Sequence, residues 1–573
     1  MIQKGRYLTG RAFQMLAAEV RGLQRAVYIL ALFALLSSLL ALLRDRLFAH
    51  LFGAGTTLDL YYAAFRIPDF LFVIMGALVS VYILIPELAR RTEREQRDYI
   101  DTIVVGFSAL AAVACTLAAI LAPHILTILF PQFVESGLLP TLTALSRILL
   151  LQPILLGLSN IFGAITQSRH RYVLYAISPL LYNVGIIAGA LMLYPVMGIA
   201  GLAWGVVGGA LLHACIQIPS ILHDGFFRSL PRLGDVRTLF STIRISIPRA
   251  LALSMSQLAF IGLIALAGLL SAGSIATFMF AYNLQAVPLS IIGASYSVAA
   301  FPGLAAALAG GERARFIQYV ATAARYVVFW SLPATTLIIV LRAHIVRVIL
   351  GSGAFNWTDT RLTAAAFALF TLALVAQGLM LLIVRAYYAA GRTFTPFIVS
   401  TGVALATVLL GAASVGALNI SFVRVAAEGL LRVVDVPGSH VLGLAFAYAF
   451  AAILGTVVLL VHFEYRFRGF LRHVGLSWLQ ALCAAIGAGI AAYAVLHVVG
   501  PITLSSTLLT VFVRGFAAGV VGLCAGAAVY AILGNREFEE TIATIKNRIP
   551  YGKRAAATLR PDVVAATEEQ VVP

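Results

Sequence analysis

Long apolar runs, each broken by a short polar or basic stretch, recur along the chain from Ala26 to Leu533. A helix needs about 20 predominantly apolar residues to cross the roughly 30 Å of bilayer hydrocarbon. By that measure the pattern predicts fourteen spans, at 26–43, 58–85, 99–122, 138–166, 173–193, 197–221, 244–270, 274–301, 316–341, 361–384, 394–415, 441–461, 475–498 and 506–533. The expected fold is an all-α polytopic membrane protein. Between the runs, residues 8–25 place Phe13, Leu16, Val20 and Leu23 at near-helical spacing among arginines, the pattern of an interfacial amphipathic helix. In the loop 416–440, ISFVRVAAEGLLRVV is also amphipathic and predicts a surface helix, whereas 555–573 reads as a disordered tail.

Composition agrees with the pattern. The chain is 61% hydrophobic and 11% charged, with a mean hydropathy of +0.97. A soluble protein of this length cannot bury so much apolar surface, so lipid must be its solvent. The net charge of +17 does not indicate a nucleic-acid partner, because the basic residues sit in small groups between apolar runs. With a cytoplasmic N-terminus, most Lys and Arg fall on inside segments. The outside loops hold only Arg44, Arg46, Arg342, Arg347, Arg361, Arg424 and Arg432. That bias predicts both termini in the cytoplasm and an even number of spans. Cys115, Cys215, Cys483 and Cys524 lie apart within apolar runs, without disulfide or metal-ligand spacing. No HExxH, GxSxG or phosphate-loop motif occurs. No metal, cofactor or catalytic residue is expected.

The chain also repeats itself. GAGTTLDLYYA (53–63) recurs loosely as SAGSIATFMFA (271–281), IPELA (85–89) as FPGLA (301–305), and the linker after span four corresponds in position to that after span ten. A repeat of six spans keeps the same orientation. Two parallel six-helix lobes follow, an N-lobe at 26–221 and a C-lobe at 244–461. They are joined by a cytoplasmic linker at 222–243 and followed by two further spans in 475–533, with a basic N-terminus at 1–25 and a tail from 534. Transporters built this way bind their cargo between the lobes, and no channel-like filter motif appears.

The densest chemistry lies in LRDRLFAHLFGAGTTLDLYYAAFRIP (43–68), which places Arg44, Asp45, Arg46, Asp59 and Arg66 between two apolar runs. An ionisable group at bilayer depth costs roughly 2.5–3.5 kcal/mol or more, so such groups normally face a polar cavity or one another. Arg44 and Arg66 are candidate phosphate ligands, since a guanidinium makes paired, charge-assisted bonds to phosphate oxygens. Asp45 and Asp59 are candidate charge partners or coupling groups, and Asp59 is alternatively placed to cap the N-terminus of the second span itself or to pair with an arginine. Gly53 and Gly55 suit the turn between the spans, and Pro68 a bend in the second.

FGAGTTLDLYYAAFRIP resembles the FGAG…D…AF+IPN block of the MurJ/MviN family, and RAYYAAGRTFTP (385–396) its RAFYAL-x-DT+TP block. The resemblance extends along nearly the whole chain. It implies membership of the multidrug/oligosaccharidyl-lipid/polysaccharide exporter superfamily and a flippase for the undecaprenyl-diphosphate-linked peptidoglycan precursor, lipid II, in the bacterial inner membrane. It places Arg44, Arg66 and Asn283 at cavity positions. The chain departs from the family where Ser38, Phe72, Val73 and Asn283 stand at basic positions, and Ala77 and Leu78 replace Glu and Gly. Export of another polyprenyl-diphosphate-linked oligosaccharide, or a non-transporting scaffold role beside envelope-synthesis proteins, are the alternatives. The expected form is a monomer in the bilayer.

Overall fold

A computed structural model describes residues 23–227, 230–232, 234, 236–500, 502 and 506–548. The expectations for 8–22 and 555–573 lie outside what it describes. Among the described residues no strand occurs. The principal helices are α1 Leu23–Phe52, α2 Thr56–Ala89, α3 Glu93–Leu129, α4 Leu139–Ser168, α5 Tyr172–Met197, α6 Ile199–His223 and α7 Val236–Gly268. They continue as α8 Ser274–Leu308, α9 Arg313–Ile349, α10 Trp357–Ala389, α11 Phe394–Leu418, α12 Val441–Phe467, α13 Phe470–Val499 and α14 Leu508–Ile532.

Among the described residues twelve helices are long and apolar enough to cross a membrane. Helices α1 and α7 stand where the first and seventh spans are expected but fall outside that number. Helix α1 holds the uncharged apolar run 26–43, and α7 holds an apolar stretch at Leu253–Gly268. The first helix also differs from expectation in length. It continues past residue 43 to Phe52, so Arg44, Asp45 and Arg46 sit within a helix and not in an outside loop. Nothing from Leu43 to Phe52 breaks a helix. Gly53 does, at φ 62°, donating its N–H to Ala49 O at 2.9 Å.

Helices α1 to α6 pack on one another as an N-lobe, with α5 against both α1 and α6. The α5–α6 contact is made by glycines: a Cβ on Gly185 would lie 2.2 Å from the Gly209 Cα, so only small residues permit this approach. Helices α8 to α12 form the C-lobe, and α13 and α14 lie against α9. Helix α7 belongs to both. Ser246 Oγ donates to Leu78 O at 3.3 Å, whereas farther along a Cβ on Gly262 would meet Val408 of α11. One face carries the turn 53–55, the turn 269–273 and the loop 350–356, which touch one another. The opposite, basic face carries Arg90, Arg91, Arg169, Arg171, Arg313 and Arg392.

Two shorter helices complete the fold. Ser421–Leu431 lies in the 416–440 loop. Arg536–Arg548 forms part of the segment read as a tail. Asn535 Oδ1 accepts from Phe538 N at 3.0 Å, and Glu537 and Glu539 occupy the first turn, where carboxylates offset the helix dipole. Glu537 is 2% exposed and binds Arg325 Nε at 2.6 Å and Ser477 Oγ at 2.9 Å. Arg325 is thus paired with the helix Arg536–Arg548. Removing one partner of a buried pair leaves a desolvated charge, at a cost of about 3–5 kcal/mol. Glu537→Ala should therefore lower the thermal midpoint of detergent-solubilised protein by several degrees, and Arg325→Met/Glu537→Leu should recover part of the loss. An unchanged midpoint in Glu537→Ala would show that the terminal helix contributes no stability.

Candidate functional site

Three successive residues of α1 reach in three directions. The Arg44 guanidinium binds Asp45 Oδ1 through Nε (3.0 Å) and Nη2 (2.8 Å), and Asn183 Oδ1 of α5 through Nη1 (3.1 Å). Asp45, 2% exposed, accepts from Asn283 Nδ2 of α8 at 3.1 Å. Arg46 Nη1 donates to Val348 O (2.5 Å) and Ile349 O (3.2 Å) at the C-terminus of α9. Asp45 and Arg46 therefore bind the C-lobe directly. Asn283 does so in the reverse sense, from a position that the family resemblance gives to a cavity arginine. In the sequence Arg46 belongs to the charged cluster of 43–68 and to the outside-loop arginines, with no role of its own.

Asp59 completes this seam. It lies in the first turn of α2, yet it caps a different helix. Its Oδ2 accepts from Gly273 N at 2.5 Å and its Oδ1 from Ala276 N at 2.8 Å, at the N-terminus of α8. A carboxylate there satisfies two orphan N–H groups and meets the positive end of the helix dipole. Arg46 makes the complementary contact at the negative end of α9. Gly273 has φ 87°, and a Cβ on it would lie 2.1 Å from Ala54 O. The equivalent turns of the two repeats are thus pressed backbone to backbone. Gly53 is similarly constrained, since a Cβ would lie 2.8 Å from Ala354 O. Gly55 is not. It has extended backbone at φ −136°, and a Cβ would meet only Phe52 O at 3.5 Å.

Below the seam a cavity of about 350 Å³ opens between α2, α7, α8 and α12. Arg66, Asp69, Phe260, Tyr282 and Tyr448 are among its lining residues. Arg66 lies ten residues into α2, about 15 Å along the helix at 1.5 Å per residue. It begins the second segment of α2, after a break at Phe65 that falls one turn ahead of Pro68, whose missing N–H interrupts the helix ladder. Its Nε donates to Tyr62 O (3.0 Å), Nη2 to Asp69 Oδ2 (3.3 Å), and the guanidinium lies 5.3 Å from the Phe260 ring centre. Its Nη1 is buried without a partner. Phe72 and Val73, where the family resemblance calls for arginines, line the same cavity and make its wall apolar.

Arg44, Arg66, Asn283, Asp45 and Asp59 therefore divide between two places. Arg66 lines the cavity, whereas the other four lie in the seam network. Asp69, Phe260, Tyr282 and Tyr448 are cavity residues that sequence reasoning did not single out. Asp69, three residues after Arg66 on one helix face, was a readable signal. The other three come together only in the tertiary fold.

Loss of the Asp59 side chain would leave two buried N–H groups without an acceptor, at about 1–3 kcal/mol each. Asp59→Ala should therefore loosen the seam. With the 4 native cysteines replaced and spin labels at Val134 and Ile420, electron–electron distances should broaden toward longer values relative to the wild type. Asp59→Asn, which keeps one acceptor, should fall between them. Identical distance distributions in all three would show that the cap does not hold the lobes together.

The sequence model of the family described as "Lipid II flippase MurJ" matches residues 48–513. Among similar proteins, the lipid II flippase MurJ of Burkholderia cenocepacia is 24% identical over 402 residues, 67% of this chain and 77% of that protein. The probable lipid II flippase MurJ of Haemophilus influenzae is 24% identical over 489 residues, covering 80% and 90%. Among solved structures, one described as lipid II flippase MurJ in an inward closed conformation superposes with a TM-score of 0.68 at 20% identity, covering 90% of this chain and all of that one. A multidrug-resistance MATE family transporter of the MOP superfamily, in an inward-facing conformation, superposes with a TM-score of 0.58 at 15% identity, covering 78% and 99%.

Proposed function

The chain belongs to the lipid II flippase MurJ family, and on that premise we propose that it moves lipid II from the cytoplasmic to the outer leaflet of a bacterial inner membrane by alternating access. The basic face is then cytoplasmic, both termini with it, and the seam of Asp59, Asp45 and Arg46 is the closed outer gate. The observation that carries this reading is the cavity between the lobes, with one buried guanidinium nitrogen of Arg66 unpartnered. A diphosphate fits a cavity of about 350 Å³. The sugars and peptide of a complete headgroup do not, so the lobes must part to admit it. Arg66 is the cation that meets the diphosphate first. As the lobes part, Asn283 leaves Asp45, and Arg44 and Asn283 become available to the cargo in turn.

Neither arginine is a free charge in the closed state. Asp45 offsets Arg44 and Asp69 offsets Arg66, so the binding of a diphosphate competes with internal carboxylates. This lowers affinity and favours release. An inside-negative potential drives an anionic cargo outward by about 2.3 kcal/mol per charge per 100 mV. A second reading, export of another polyprenyl-diphosphate-linked oligosaccharide, is favoured by Phe72 and Val73, which leave the cavity fewer cations than the family resemblance implies.

The chain should restore growth to a bacterium depleted of its own lipid II flippase. Arg66→Ala should abolish rescue, and Arg66→Lys should retain part of it. Asp69→Asn should tighten binding of the lipid-linked diphosphate to purified protein by roughly tenfold, the equivalent of 1.4 kcal/mol for one lost competing charge. Rescue by Arg66→Ala would refute the assigned role of Arg66 and point to a scaffold. Failure of the wild-type chain to rescue despite correct insertion would favour the second cargo. Flipping by reconstituted protein should slow when the potential is collapsed, and an unchanged rate would remove potential from the mechanism.

A further inference from the structure

A second cavity, of about 620 Å³, opens on the basic face of the C-lobe, where α8, α10 and α12 end and α9 begins. It is separate from the cavity between the lobes: Leu308 lies 26 residues beyond Tyr282 on α8, about 39 Å along the helix path. Arg313, Arg392 and Arg466 stand around it, with Leu308, Gly391 and Phe467. None of the three arginines makes an ion pair among the described residues. The nearby carboxylates are engaged elsewhere. Glu312 pairs with Arg315 at 3.0 Å. Glu464 accepts from Gly469 N (2.7 Å) and Leu471 N (2.9 Å), at the start of α13. Arg313 Nη2 donates to Arg466 O at 2.7 Å, and its guanidinium lies 5.8 Å from the Phe467 ring centre. These contacts position it without neutralising it.

The first repeat supplies an internal control. The corresponding turns of the N-lobe also carry arginines, but there Arg91, Arg169 and Arg171 each have a carboxylate. Arg91 pairs with Glu87 at 2.6 Å, Arg171 with Asp224 at 2.6 Å, and Arg169 lies 4.0 Å from Glu93. Like charges gathered around a concave site without counter-ions favour an external anion. Guanidinium forks are suited to phosphate oxygens. The apolar part of the lining, Leu308 and Phe467, suits the glycerol and acyl end of a lipid better than water.

We propose that the cavity bounded by Arg313, Arg392 and Arg466 binds the phosphate of an anionic phospholipid headgroup in the leaflet at the basic face. The interaction would hold the C-lobe ends of α8, α10 and α12 to that leaflet while the lobes move. The proposal does not depend on the identity of the flipped cargo.

The test is retention of phosphatidylglycerol against phosphatidylcholine by native mass spectrometry of the full chain extracted from mixed vesicles. The wild type should retain phosphatidylglycerol selectively. Arg313→Gln/Arg392→Gln/Arg466→Gln should weaken retention by about fivefold per arginine, as expected for basic residues at an anionic surface. Arg169→Gln/Arg171→Gln in the N-lobe should retain it as the wild type does. Single Arg392→Gln, which removes no hydrogen bond or ion pair to another described side chain, checks that any loss is not one of folding. Equal retention by the two multiple variants would overturn the proposal. Competition by soluble glycerol phosphate at the same concentration as the lipid would overturn the lipid assignment, placing a free phosphoester in the site.

Discussion

The contact on which the rest of this structure depends is a carboxylate of one lobe seated on a helix N-terminus of the other. Asp59 receives two N–H groups of α8, at 2.5 and 2.8 Å. Its counterpart, Arg46, meets the C-terminal carbonyls of α9. Opposite helix ends are thus held by opposite charges, an arrangement that exploits both poles of the helix dipole. Each contact occupies backbone groups that would otherwise be orphaned in a water-poor interface. The same seam brings Gly273 against Ala54 O, which is why the turn there has no side chain.

Closure at this face leaves a cavity of modest size between the lobes, with its charge balanced within the protein. The balance has a physical logic. A bare arginine within the bilayer costs several kcal/mol. The adjacent carboxylates Asp45 and Asp69 reduce this cost in the empty state. The apolar wall formed by Phe72 and Val73 leaves Arg66, with its unpartnered nitrogen, as the principal cation in the cavity.

The two repeats share a topology and have diverged in charge. Asp59 of the first aligns with Thr277 of the second, so the cap runs in one direction only. At the basic face the divergence is reversed. The first repeat pairs Arg91, Arg169 and Arg171 with carboxylates, whereas among the described residues the second leaves Arg313, Arg392 and Arg466 unpaired around a cavity. Helix α7, packed on α2 through its first part and on α11 through its second, is the element that any relative movement of the lobes must bend or carry.

Much of this was legible in the sequence. Apolar run length and the placement of Lys and Arg determine an all-helical membrane protein, because hydrocarbon thickness and leaflet charge act on composition directly. The family followed from two motifs, FGAGTTLDLYYAAFRIP and RAYYAAGRTFTP, and the importance of residues 43–68 from their charge alone. What each charge does was not legible. That Asp59 caps a helix more than two hundred residues away, that Arg46 bridges lobes, and that Arg66 alone of these charged groups reaches the cavity depend on contacts between distant segments. Local pattern says that a buried charge needs a partner. Only the tertiary fold, by bringing helix ends and side chains within 3 Å, decided which partner it has.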